Sequence, residues 1–585
     1  MADGYGWPAE GGGDAADGPE DGWEPAEDCP VVALGRRSGR YWFLAPDGEL
    51  RELAPRGMSG VEILSLFAGD DSWLIAELPP ENKADRYAWS VTKAQRYLLR
   101  ACHRAGTFVP DRMIRGPGVW VDPKSGGLVV HSGDRLWRVD PAAGAVSDLG
   151  RAGVRIGEHV YPVAPAETPP AREAATAAEA VAVLETMRLW RWRAPGGAER
   201  LLFGWVAAAG VAGALQWRPH ILVTGGRGTG KSTLINWIRE DLLGSVALKM
   251  SASTEAGVRQ ELDSAARALF LDEIENDDLE RSKAVMRLSR LGSSEGQGAS
   301  FRGGTDGKSK GWLIRASFFF SAILFPRMSS QDQSRISVLE LDPLPTGMMA
   351  DDLSPSDQLR ASLDAVRGAG PRLRRRMLDG WHRFQVNLER FGHAAAQLGV
   401  TGRTGDQIGT MLAAGETLLS DEPIAPDKAL ALMSEFVSEP ELVGHADESD
   451  ETAALDHLLS CSVPVHWPNE GTSRMTVAEL LTERAHAAER ALRTHGIAVQ
   501  VDPGPKGQVW IAVANQHATL GPLFRDTQWA EVWKTALRRI HGAKASPDKV
   551  SFAGRKVRAT MIPWEAVFDT AWTGDRAGRD LPADL

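Results

Sequence analysis

The chain has 585 residues, 43% apolar and 24% charged, too many for one hydrophobic core, so three or four domains of an ordinary soluble protein are expected. Its net charge of −11 is concentrated in residues 1–28, which hold nine acids and no base; the rest carries 66 basic against 68 acidic residues, so any polyanion-binding surface must be a local patch. Cys29, Cys102 and Cys461 lie far apart without a CxxC spacing, which excludes a zinc site or disulfide framework built from them alone and fits a reducing bacterial cytoplasm.

In chain order, residues 1–28 are rich in Gly, Asp, Glu and Ala and read as a disordered acidic tail. A small α+β domain is expected over 29–163. Within it, Arg40–Leu44 and Glu49–Leu53 flank a Pro46-Asp47-Gly48 turn, a helix covers about Ser90–Ala105, and two short strands lie in Leu128–Val139. Residues 164–200 form a proline-bearing linker and a lead-in helix from about Glu173 to Trp192. Leu201–Leu215 is apolar but too short and too rich in Gly and Ala for a membrane span, and reads as a buried helix. A P-loop core spans 201–345 and a helical domain 346–449, where Arg372, Arg374, Arg375 and Arg376 read as a solvated helix face. In 450–585, Thr476 and Glu479 form a capping box. The strands Ile497–Val501 and Gln508–Val513 follow as a hairpin, and helix plus hairpin suggest a winged-helix-like module. Trp529, Val532, Trp533, Ala536, Leu537 and Ile540 have helical spacing and are expected in its core; the chain shows no internal repeat.

The chemistry is carried by the middle of the chain. Gly225-Gly226-Arg227-Gly228-Thr229-Gly230-Lys231-Ser232, followed by Thr233, fits GxxxxGK[ST] between the apolar strand Ile221–Thr224 and a helix starting at Lys231. Glycines let backbone amides turn toward phosphates, and the helix start adds its positive dipole end. Lys231 should reach the β and γ oxygens of ATP, and Ser232 should ligate Mg²⁺. The buried run Ala268–Leu271 leads into Asp272-Glu273, as a Walker B strand does; Asp272 would hold Mg²⁺ and Glu273 would deprotonate the attacking water. Downstream, Ala299–Arg302 and Trp312–Ala316 read as hairpin strands around a turn holding Lys308 and Lys310, and Arg302, Lys308 and Lys310 are candidate DNA contacts. Ser321, in the strand Ser317–Leu324, is a candidate γ-phosphate sensor. Of the two arginines that follow, Arg327 and Arg335, Arg335 is the preferred finger offered to a neighbouring subunit, with a local ion pair to Asp332 as the alternative.

Together, Trp217-Arg218-Pro219-His220, the stretch Ser253–Gln260, Asp272-Glu273, the lysine hairpin and Ser334-Arg335-Ile336 resemble the helicase part of phage and prophage primase-helicases, akin to superfamily 3. Cys29–Gly35 and Arg115–Trp120 resemble the N-terminal part of the same proteins. The resemblance implies an AAA+ fold: an α/β P-loop NTPase core, a small α+β N-terminal domain, and a helical plus winged-helix-like C-terminal region. It also implies a homo-oligomeric ring, a hexamer, acting with ATP and Mg²⁺ on single-stranded or forked DNA in phage or mobile-element replication. No primase-type acidic set is present, so priming would fall to a separate primase, and Ser321 stands where the superfamily usually has a sensor asparagine. Two other readings are an ATP-switched replication initiator or helicase loader and an NTPase of anti-phage defence. No partner in a membrane is expected.

Overall fold

The structure, a computed structural model, describes residues 24–80, 86–140, 145–250, 255–271, 279–294, 299–303, 309–323, 330–343, 354–400, 402–437, 450–468, 471–483, 485–503, 507–525, 527, 529–530 and 532–568. The chain divides into two compact units, residues 1–327 with 334–444, and residues 328–333 with 445–585.

The first unit opens with an antiparallel meander, β1 (Val32–Arg37), β2 (Arg40–Leu44) and β3 (Leu50–Leu53). Helix Val91–Ala105 packs near it and starts where the Ser90 hydroxyl accepts the Lys93 amide at 3.3 Å; its face Ala94, Leu98, Ala101 and Cys102 is buried. A four-stranded antiparallel sheet follows in sequential order: β4 (Gly118–Val121), β5 (Leu128–His131), β6 (Arg135–Asp140) and β7 (Ala145–Arg151). The pair β8 (Val154–Ile156) and β9 (His159–Tyr161) completes this part. The lead-in helix is shorter than the sequence suggests, Ala177–Arg188, because the Thr176–Glu179 capping box fixes its start.

The expected buried helix is Ala198–Ala209, with every residue but Arg200 buried. Its neighbour is helix Arg403–Leu419: a Cβ on Gly204 would fall 2.0 Å from the Met411 carbonyl oxygen, so only glycine permits this approach. On its other side, Trp205 meets Phe270 and Phe319 edge-on at 5.8 and 5.4 Å, and those two rings stack at 4.8 Å. Burying such rings contributes about 2–3 kcal/mol each, which ties the helix to the sheet beneath.

That sheet holds β10 (His220–Gly225), β11 (Ala247–Met250), β12 (Ala266–Leu271), β15 (Arg315–Ala322) and β16 (Ile336–Leu341), all parallel, in the order β11-β12-β15-β10-β16. Parallel strands covered by helices need no polar face, and β10 is accordingly buried at all six positions. The hairpin β13 (Ala299–Gly303) and β14 (Ser309–Leu313) is inserted before β15. The lead-in segment lies along β16: Trp192 bridges antiparallel to Leu341, the Arg193 amide donates to Glu340 O at 3.0 Å, and the Asp342 amide donates to Arg191 O at 2.9 Å.

Helices Pro355–Ala365, Ala369–Asp379, Trp381–Gln397, Arg403–Leu419 and Pro426–Val437 complete the first unit. The arginine stretch on Ala369–Asp379 is not a solvated face. Arg376 is buried and donates to Leu418 O at 2.6 Å, Ala175 O at 3.2 Å and the Asp421 carboxylate at 2.7 Å. Arg375 donates to Asp379 and to the carbonyls of Ala171 and Arg172, and Arg372 pairs with Glu179. The guanidiniums tie the lead-in segment to the helical layer, because their planar forks can satisfy several carbonyls at once.

The second unit contains helix Asp450–Ser460, hairpin β17 (Ser462–Trp467) with β18 (Gly471–Thr476), and helices Val477–Thr482 and His486–Thr494. The Thr476–Glu479 capping box is formed. Strands β19 (Ile497–Val501) and β20 (Val509–Ala514) make the expected hairpin, but they belong to a four-stranded antiparallel sheet ordered β19-β20-β24-β21, wider than a two-stranded wing. It includes β21 (Lys544–Ala545) and β24 (Ala559–Pro563), with β22 (Val550–Phe552) and β23 (Arg555–Val557) paired separately. Trp533, Ala536, Leu537 and Ile540 are in its core, with Trp533 stacked on Phe524 at 5.5 Å, whereas Val532 is exposed because the helix starts only at Trp533.

Candidate functional site

The glycine loop leaves the carboxyl end of β10 and closes on helix Lys231–Trp237. Ligand crevices of open parallel sheets form at this end of the strands. Gly228 and Gly230 have φ of 80° and 77°, a conformation that favours glycine, and a Cβ on Gly225 would meet Leu341 O at 2.7 Å. Nothing lies within 4 Å of the Cβ positions of Gly226 and Gly228. Gly226, Arg227, Gly228, Ser232 and Thr233 are exposed, while Thr229 is buried and its hydroxyl donates to Gly226 O at 3.0 Å. The loop is thus fixed at its base and open along its rim.

Lys231 folds back across this base. Its Nζ donates to Gly225 O at 3.3 Å and to Ala322 O, the last residue of β15, at 2.7 Å. The parallel register pairs Val223 with Ser321 and Thr224 with Ala322, so Ser321, buried at 2% exposure, lies one residue before the carbonyl that holds Lys231. On the other flank of β15, Leu271 pairs with Phe320. Asp272 and Glu273 directly follow Leu271 in the chain and lie outside the described residues.

Trp190 is part of this site and escaped the sequence reading. Its indole N–H donates to Gly230 O at 3.1 Å, and its ring stacks on Trp237 at 5.8 Å. The available signal was a tryptophan-rich run, Leu189–Trp192, just upstream of a glycine loop.

Arg335 lies elsewhere. It is 3% exposed and immediately precedes Ile336, which pairs with His220 at the amino end of β10. Five residue steps separate that end from Gly225, about 17 Å at 3.3 Å per residue. Within one chain, Arg335 and Lys231 therefore do not share a pocket. In the hairpin, the backbone register pairs Arg302 with Lys310; Lys308 and Arg327 lie outside the described residues.

The run Trp217–His220 forms a buried polar hub. Arg218 is fully buried and donates to the carbonyls of Gly292, Leu215 and Ala212. His220 Nδ1 accepts the Phe318 amide at 3.1 Å, which leaves Nε2 as the protonated nitrogen, donating to Ser289 O at 2.8 Å. Burial pushes His220 down to about 4; the Ser289 hydrogen bond opposes this, and Arg218 and Arg335 add to it. Gln407 donates to His220 O at 2.6 Å and accepts from the Trp217 indole at 3.2 Å. Arg218 and His220 hold strands and helices together and leave no open face for a ligand, whereas Trp217 is only half-buried.

No protein-family model matches this chain, and no curated protein does. Among solved structures it is similar to one described as "SCCmec type IV Cch - active helicase", at 13% identity and TM-score 0.42, covering 92% of this chain and 93% of that one. It is also similar to an apo A-form structure of the NrS-1 C-terminal region, at 10% identity and TM-score 0.31, covering 76% of this chain and 97% of that one. Among the described residues, no helix is long and apolar enough to cross a membrane.

Proposed function

We propose that this chain is an ATP-hydrolysing DNA helicase or translocase of phage or mobile-element replication, working as a hexameric ring. The observation that carries the reading is the glycine loop at the carboxyl end of the parallel strand β10, with Lys231 Nζ 2.7 Å from the end of the adjacent β15.

The residues present fit a nucleotide: an open glycine rim, a lysine at the base, and exposed hydroxyls on Ser232 and Thr233. In this reading, loop amides receive the phosphates and Lys231 exchanges its carbonyl partners for β and γ oxygens. Ser232 and Asp272 would hold Mg²⁺, which when bound neutralises charge on the transferring phosphoryl group. Glu273 accepts the proton of the attacking water, and Ser321 reads the γ-phosphate from β15. Arg335 of one copy would serve the pocket of the next, which requires its buried side chain to be uncovered on assembly. The β13–β14 hairpin, with Arg302, Lys308 and Lys310, would follow the DNA backbone in the central channel.

The test is Glu273→Gln in the full chain. Loss of DNA-stimulated ATP hydrolysis by about a hundredfold or more with nucleotide binding retained supports the reading; intact hydrolysis refutes the catalytic assignment. Strand displacement on forked DNA by the unmodified protein distinguishes a helicase from a loader, which hydrolyses ATP without unwinding.

A further inference from the structure

A cavity of about 790 Å³ lies at the end of the parallel sheet opposite the glycine loop. Arg315, the first residue of β15, and Trp217, just before β10, mark that end. Arg112 and Arg115 come from the N-terminal α+β part, and Trp381 and Phe384 from the helix Trp381–Gln397. Cavities of about 300–1,000 Å³ take ligands of nucleotide size.

The lining is unusual in charge. Three arginines contribute to it against one carboxylate among the described lining residues, Glu389, which is exposed. The Arg115 and Arg315 guanidiniums both lie over the buried Trp120 ring, at 5.5 and 5.2 Å. Arg115 is further fixed by donating to Val121 O at 2.7 Å and to the Tyr161 hydroxyl at 3.0 Å. His159, also in the wall, is pushed down to about 4 by burial and then by the charges of Arg115 and Arg315, with Asp122 opposing. Half-buried Trp217 supplies an aromatic wall, held by its indole bond to Gln407. Leu313, which ends the hairpin strand β14, lines the same cavity, so a nucleic-acid strand running down the hairpin arrives there.

We propose that this cavity holds one nucleotide unit of single-stranded DNA, its phosphate on Arg112, Arg115 and Arg315 and its base against Trp217. A positively charged groove beside an aromatic surface is the general solution for binding single strands without regard to sequence. The proposal rests on the DNA-motor reading and adds a second point of strand contact, at the foot of the hairpin.

The experiment uses the full chain and a fluorescein-labelled oligothymidylate, with binding followed by anisotropy across a salt series. Arg112→Glu combined with Arg315→Gln is expected to weaken binding about tenfold and to lower the salt slope by about 0.7, one single-strand phosphate. Arg112→Lys with Arg315→Lys should keep the slope. In the unmodified protein, 5-iodouracil in the oligomer should photocross-link to the peptide containing Trp217, a readout independent of whether a variant folds. Unchanged affinity and slope in the charge-removing variant, or cross-links confined to other peptides, overturns the proposal. Thymidine monophosphate competing as well as the oligomer, with no gain from chain length, also overturns it, since the ligand would then be a free nucleotide. ATP hydrolysis by the unmodified protein tests the motor reading separately: its absence alongside arginine-dependent oligomer binding would remove the motor and leave the cavity.

Discussion

The two ends of β10 carry polar groups that behave in opposite ways. At the amino end, Arg218 and His220 are fully buried and bonded to backbone groups. At the carboxyl end, Gly226 to Gly228, Ser232 and Thr233 face solvent, and Lys231 is held by two carbonyls it can exchange. Charge buried and bonded to backbone carbonyls locks a scaffold; donors left open at strand ends are available to a ligand. Both segments are dense in polar side chains, so position along the strand, more than residue type, separates frame from chemistry.

The comparison breaks first on activity. Lys231→Ala is expected to lower ATP hydrolysis by about a hundredfold or more with little change in the unfolding midpoint, since Lys231 is only half-buried. A matching loss of stability would mean that the open end is also frame. Arg218→Met should do the reverse, costing about 3 kcal/mol in a urea titration because three buried carbonyls lose their donor. An unchanged midpoint would dissolve the distinction.

Acid should act on the amino end. His220 titrates at about 4 in the folded chain against an ordinary 6.5. The unfolded state takes its proton first as pH falls, so stability is present above 6.5 and is lost between 6.5 and about 4. The loss totals about 3 kcal/mol at 1.36 kcal/mol per unit. Urea midpoints measured across that window should slope for the unmodified protein and flatten for His220→Gln. The smallest effect belongs to Trp190→Phe, which keeps an aromatic ring, though a smaller one, and removes the bond to Gly230. It should cost about 1 kcal/mol and raise the KM for ATP a few-fold; no change in KM would detach Trp190 from the site.

Local features were legible in the sequence. The strand before the glycine loop, the hairpin around Asp47-Gly48 and the Thr476–Glu479 cap depend on residues within a few positions of one another. The arginine stretch was misread because the acceptors of Arg376 lie 42 and 201 residues away, and no spacing rule shows that a guanidinium will be covered. The Trp217–His220 run stood out by resemblance, yet its part in the structure depends on Ser289 and Gln407, at separations of 69 and 187 residues. The sheet order, with β15 between β10 and β12, is likewise a long-range outcome that the strand pattern alone does not contain.

The backbone bonds that Arg191 to Arg193 make with Glu340 to Asp342 have a consequence for self-association. An outer strand with bare amides recruits any extended chain that passes, and sheets left so tend to fuse irreversibly. Here the vacant seat beside the last residues of β16 is taken by the protein's own lead-in segment. Copies of the chain cannot zip together along that stretch, and any assembly there must be made by side chains, which can let go and regrip.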